Sequence, residues 1–107
     1  MNTYSDNPNN DRNARLAAAR LKYARRLRQQ AANVSDLGTG LPDSAVDLQE
    51  LAHQLNGTAG SYGFSDVSAY AAALETSLKT DARSAEVPLL AQQLAAAMGA
   101  ATVTERG

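Results

Sequence analysis

Four stretches of helical hydrophobic periodicity, separated by short turn segments, restrict this chain to an all-α fold. The predicted helices lie at about 11–33, 42–62, 65–79 and 84–99. Neither an internal repeat nor the alternating pattern of a strand is present in the sequence. Because short loops make successive helices antiparallel neighbours, we expect an up-down-up-down four-helix bundle.

Apolar residues that recur three and four positions apart define the faces that should form the core. Gly63 is placed to end the second helix in a left-handed conformation. We expect a disordered leader at residues 1–10, one bundle at 11–101 and a frayed tail at 102–107, in a free-standing protein. The predicted core stripes consist of Leu16, Tyr23, Leu27 and Ala31 in the first helix, Leu48, Leu51, Leu55 and Tyr62 in the second, and Val67, Tyr70, Ala71, Leu74 and Leu78 in the third.

The second helix carries the only histidine, His53, and two interior glycines, Gly57 and Gly60. Glycine inside a helix costs about 1 kcal/mol relative to alanine, so two of them beside one imidazole need a reason. With roughly 100° per residue, the apolar stripe lies opposite His53. The same arithmetic places Gln49, Asn56, Gly57 and Gly60 within about 60° of His53. The sequence therefore predicts an exposed imidazole beside a flat patch of backbone.

A solvated histidine without a role is the alternative interpretation of this segment, and glycines near a helix end can be simple capping positions. A metal site is not indicated, because one histidine and no cysteine provide too few ligands at suitable spacing. A serine hydrolase is not indicated either, because the nucleophile-elbow pattern is missing.

The segment His53-Gln-Leu-Asn-Gly-Thr-Ala-Gly-Ser-Tyr-Gly-Phe64 resembles the signature of histidine-containing phosphotransfer domains, and the helix that follows, ending in Leu74-Glu75, is also similar. The resemblance implies a bundle in which His53 accepts and donates a phosphoryl group in a bacterial-type two-component phosphorelay. It implies receiver domains and a histidine kinase as partners, with Mg²⁺ on the receiver and no cofactor or ATP-binding domain of the chain's own. We expect Gln49 or Glu50 to accept the second ring N–H, and Asn56, Gly57 and Gly60 to contact the phosphoryl group or the partner.

One position departs from the pattern of these domains, which usually have lysine where this chain has Asn56. Asparagine donates a hydrogen bond but carries no charge. We therefore expect slower transfer or a less stable phosphohistidine, unless a basic residue from elsewhere in the bundle compensates. The departure also motivates an alternative function, a bundle that docks on a receiver or kinase and regulates it without transferring phosphate.

Charge is unevenly distributed along the chain. Residues up to Ser35 include seven Lys/Arg and two Asp/Glu, and the remainder includes three Lys/Arg and nine Asp/Glu. The basic cluster in the first helix could attract nucleic acid, but we favour a solvated helix face because base-stacking aromatic residues are few. Without a membrane-spanning run, a signal peptide or a cysteine, we expect a cytoplasmic monomer. The basic cluster comprises Arg20, Lys22, Arg25, Arg26 and Arg28.

Overall fold

The computed structural model describes the backbone of residues 8–103 and the side chains of residues 12–103. Within that range, α1 packs chiefly against α4 and α2 against α3, and α1 meets α2 least. The predicted all-α, antiparallel four-helix bundle is confirmed. Its helices are α1 (Pro8–Thr39), α2 (Ala45–Ser61), α3 (Ser65–Thr80) and α4 (Glu86–Gly99).

Helix α1 is longer at both ends than the sequence pattern predicted. The segment from residue 33 to 41 was predicted to be a loop, but α1 continues to Thr39 because Val34 is fully buried and Leu37 packs against the core. Gly38 belongs to this helix, and a Cβ at that position would lie 3.0 Å from the Ala91 Cβ. The glycine therefore allows close packing of α1 on α4 rather than marking a loop. Residues 1–7 of the predicted leader and 104–107 of the predicted tail lie outside the described residues.

Two residues that we predicted in the core stripes are exposed. Leu16 is 51% exposed because α1, with 32 residues, is about twice as long as each other helix and its N-terminal part extends beyond them. Tyr70 is 36% exposed because it lies roughly 70° from the centre of the α3 stripe. The other apolar positions predicted in α3, namely Val67, Ala71, Leu74 and Leu78, are buried.

The end of α2 is fixed by a hydrogen-bond pattern that requires a left-handed residue. Gly63 has φ +88°, as predicted. The Phe64 N–H donates to the Ala59 carbonyl at 2.8 Å, and the Gly63 N–H donates to the Gly60 carbonyl at 3.1 Å. These two bonds form a Schellman motif, which turns the chain sharply from α2 into α3. The short connection sets the register in which the two helices face each other.

Two residues of the basic cluster in α1 hold the bundle together instead of facing a partner. Arg20 Nε donates to the Tyr62 carbonyl oxygen at 2.8 Å, and Arg28 donates to the Ala101 carbonyl oxygen at 2.6 Å. Both bonds tie α1 to the ends of other helices, where carbonyl groups lack partners within their own helix. Because two of the five basic side chains are engaged within the bundle, the case for nucleic-acid binding by α1 is weaker.

Candidate functional site

His53 lies on the outer surface of α2, and its side chain is 73% exposed. The buried face of α2 consists of Leu48, Ala52, Leu55 and Ala59, whereas Leu51 is only half-buried. On a helical wheel the centre of this face lies roughly 130° from His53, and not opposite to it as the sequence suggested. The difference places His53 at the edge of the α2–α3 interface, where it reaches a side chain of α3.

That side chain belongs to Glu75 and is 11% exposed. Its Oε2 lies 2.8 Å from His53 Nδ1 and 3.1 Å from Lys79 Nζ. Lys79 follows Glu75 by one helical turn, and its own side chain is 59% exposed. The imidazole, the carboxylate and the ammonium therefore form one cluster, in which both nitrogens share a single oxygen. We call these three residues the His53–Glu75–Lys79 cluster.

The cluster determines which ring nitrogen of His53 can act as a nucleophile. The hydrogen bond from Lys79 holds the pKa of Glu75 below its ordinary value, and the hydrogen bond from His53 adds to this against the opposing effect of burial. Glu75 is therefore ionised at neutral pH and can only accept hydrogen bonds. Nδ1 must carry the proton in this contact, so the neutral ring has its lone pair on Nε2.

The expectation that Gln49 or Glu50 accepts the ring N–H is wrong. The partner of Nδ1 is Glu75, which is 22 residues away in the sequence. Glu50 is exposed on α2 and Gln49 is half-buried there. The ring leans toward α3 because His53 lies at the edge of the interface. From the sequence alone, Glu75 is only the residue at which the resemblance in the third helix ends. Its contact with His53 depends on the register between α2 and α3, which the sequence does not specify.

The structure places Asn56 and the two glycines on the same outer side as His53. Ser68 Oγ lies 2.8 Å from the main-chain oxygen of Asn56 and 3.0 Å from its Oδ1, so the amide oxygen is already engaged. A Cβ at Gly60 would lie 3.2 Å from the same Ser68 Oγ, whereas a Cβ at Gly57 would meet nothing within 4 Å. Packing of the bundle therefore does not require glycine at position 57, and the missing side chain leaves the backbone there exposed.

The described residues were also compared with the requirements of a membrane span and of a metal site, and they meet neither. No helix in that part of the chain is long and apolar enough to cross a membrane. Among the same residues, no three His, Cys, Asp or Glu side chains come together as a metal-binding group.

The lowered pKa of Glu75 predicts how stability depends on pH. Because the folded pKa lies below the ordinary value of 4.5, the unfolded chain binds the proton first as pH falls. The stabilising contribution is complete above about pH 4.5 and is lost as pH decreases through the folded pKa. Urea midpoints should therefore fall less between pH 6 and about pH 3 in Glu75→Gln than in the wild type. Glu50→Gln is the control, and equal slopes for all three proteins would contradict the prediction.

Comparison with known proteins adds one positive result. The family model described as Hpt domain matches residues 22–103, which include all of α2, α3 and α4 and most of α1. The match therefore contains His53, Glu75 and Lys79. No curated protein matches the chain, and no solved structure matches it.

Proposed function

Because the chain belongs to the Hpt domain family, whose role is phosphotransfer in phosphorelays, we propose that His53 is the residue that carries the phosphoryl group. In this proposal His53 accepts phosphate from an aspartyl phosphate of one receiver domain and passes it to the aspartate of another. In this proposal a histidine kinase supplies the phosphate at the start of the relay. The cytoplasmic location and monomeric state that the sequence suggested remain predictions.

The observation that carries the proposal is the orientation of the imidazole. Nδ1 is held 2.8 Å from Glu75 Oε2, while the side chain is 73% exposed. Phosphoryl transfer depends mainly on positioning and on stabilisation of charge, so a nucleophile fixed at one nitrogen and accessible at the other suits it. A solvated histidine without a role would not need a buried carboxylate as its partner.

The transfer step follows from this arrangement. The Nε2 lone pair attacks phosphorus in line with the aspartyl oxygen, an N–P bond forms, and the P–O bond breaks with its electron pair remaining on the aspartate carboxylate. The ring gains positive charge as the N–P bond forms, and the ionised Glu75 at Nδ1 stabilises that charge. In the reverse direction the N–P electron pair returns to Nε2. Mg²⁺ belongs to the receiver in this proposal and supplies charge stabilisation there.

The surface around His53 suits close approach of a partner. Gly57 and Gly60 are both exposed and present backbone instead of side chains. We propose that receiver loops pass over these glycines, with Gln49 and Glu50 at the edge of the contact. In this proposal the amide nitrogen of Asn56 donates to a phosphoryl oxygen, which is supported by the position of Ser68 Oγ 3.0 Å from the amide oxygen.

The experiment is phosphate transfer from purified receiver domains. Each receiver of the source organism is phosphorylated, mixed with the wild-type chain and with His53→Gln in the presence of Mg²⁺, and the phosphate is followed by gel and mass spectrometry. We expect acid-labile, base-stable label on the wild type and none on His53→Gln. Equal label on both proteins would refute the proposal.

The same experiment tests the alternative that the bundle docks on a receiver without transferring phosphate. In that case receiver binding would survive His53→Ala and no receiver would label the wild-type chain. The engaged amide oxygen of Asn56 is compatible with either function, so the presence of label decides between them.

A further inference from the structure

Phosphorylation of His53 would place a second anion beside Glu75, and the cluster contains one cation to balance it. A phosphoryl group on Nε2 would add about two negative charges within one ring width of Glu75, whose side chain is 11% exposed. Like charges at this range repel strongly where water is partly excluded. The described ion pairs around the site involve His53, Glu75 and Lys79. The position three residues after His53, where a cation on α2 would face the same surface, is the neutral Asn56.

We propose that Lys79 is the cation that stabilises the phosphoryl group on His53, a role that rests on the proposed function. In the unphosphorylated chain its ammonium contacts Glu75 Oε2 at 3.1 Å. After phosphorylation it turns toward the phosphoryl oxygens, while Glu75 keeps the hydrogen bond from Nδ1. Lys79 is thus a residue that touches the transferred group, and Glu75 is a positioning residue that acts through the ring.

Geometry and exposure support this exchange. The Lys79 ammonium and His53 Nδ1 contact the same oxygen of Glu75. Before phosphorylation, a single oxygen atom therefore separates the ammonium from the ring that would bear the phosphate. Its side chain is 59% exposed, so rotation about its terminal bonds meets little steric resistance. Helix α3 runs antiparallel to α2, and Asn56 contacts Ser68, on the other side of Glu75 from Lys79 along α3. Lys79 therefore approaches His53 from the side opposite to Asn56.

An ordinary structural role for Lys79 is an ion pair with Glu75 four residues earlier in the same helix. Such a pair would affect the stability of α3 but would not respond to the phosphate. The chain contains two lysines, Lys22 on α1 and Lys79. Lys22 is exposed and distant in sequence from the cluster, so it is a matched control for both mutation and spectroscopy.

The test uses phosphoramidate, so that it does not depend on identifying a receiver. The Nε2 lone pair attacks phosphorus, and the P–N bond of the donor breaks as ammonia leaves with its electron pair. We expect Lys79→Met to load phosphate about 5- to 10-fold more slowly than the wild type, with Lys79→Arg and Lys22→Met within about twofold. Adding Asn56→Lys to Lys79→Met should restore most of the rate, and circular dichroism confirms that each variant is folded.

A spectroscopic readout separates contact with phosphate from a structural role. With ¹³C-labelled lysine, the Cε signal of Lys79 should shift on phosphorylation, whereas that of Lys22 should not. An unchanged Lys79 signal, or wild-type loading by Lys79→Met, would overturn the assignment of Lys79 alone. If His53 of the wild type takes phosphate neither from phosphoramidate nor from any receiver, both proposals fall. If loading depends on Lys79 but no receiver exchanges phosphate with the chain, the relay function fails and the role of Lys79 stands.

Discussion

Replacement of Glu75 by glutamine should slow phosphoryl transfer to His53 by about 10- to 100-fold. A charge-assisted hydrogen bond is roughly twice as strong as a neutral one, so its loss removes both the orientation of the ring and the stabilisation of its developing positive charge. The glutamine amide can also donate to Nδ1, which would favour the tautomer that has its proton on Nε2 and no lone pair there. The measurement is the initial rate of label transfer from a phosphorylated receiver, or of loading from phosphoramidate.

Two controls make the Glu75 prediction specific. Glu50→Gln removes a carboxylate from the exposed side of α2, and its rate of loading from phosphoramidate, which needs no docking partner, should stay within about twofold of the wild type. Urea unfolding of Glu75→Gln shows whether the variant remains folded at the temperature of the assay. If Glu75→Gln is folded and transfers at the wild-type rate, the carboxylate does not orient the ring.

Exposure of His53 could be predicted from the sequence because it depends on the periodicity of a single helix. The stripe that begins at Leu48 buries one side of α2, and His53 is on another side in any bundle of this kind. The left-handed Gly63 and the sharp turn after α2 follow in the same way from local chain chemistry. Local patterns therefore indicate where His53 lies and that its side chain is accessible.

The partner of His53 could not be predicted in this way because it depends on the register between two helices. Glu75 meets Nδ1 only because the Schellman turn fixes how α3 lies along α2. Within a single helix the candidates for this partner lie one turn back, at Gln49 and Glu50. The bond from Ser68 to Asn56 has the same origin.

The length of α1 was underestimated for a related reason. Gly38 is unfavourable in an isolated helix, so the sequence around it was interpreted as a loop. In the bundle, its missing side chain allows α1 to approach Ala91 of α4. The packing of α1 on α4 therefore offsets the unfavourable helix propensity of Gly38, which by itself predicts the end of the helix.

Substitutions at Gly57 should affect the stability of the fold and phosphoryl transfer from a receiver differently. Gly57→Ala should raise the free energy of unfolding by about 0.5–1 kcal/mol, because the helix gains propensity and the added Cβ meets nothing within 4 Å. Gly57→Leu should remain folded for the same reason but slow transfer from a receiver by roughly 100-fold, since displacement of the reacting groups by about 1 Å has an effect of that size. Urea unfolding and receiver-dependent label transfer measure the two effects.

A comparison of phosphoramidate with a receiver as the phosphate donor distinguishes steric exclusion of the receiver from a disturbed imidazole. Phosphoramidate is small, so Gly57→Leu should load from it within about threefold of the wild-type rate, while transfer from the receiver fails through steric exclusion. Gly63→Ala is the stability control: at φ +88° alanine should cost about 1–2 kcal/mol, opposite in sign to Gly57→Ala. If Gly57→Leu transferred normally from receivers, the bare backbone beside His53 would not be the surface on which a receiver docks. Equal slowing with both donors would instead mean that leucine disturbs the imidazole itself.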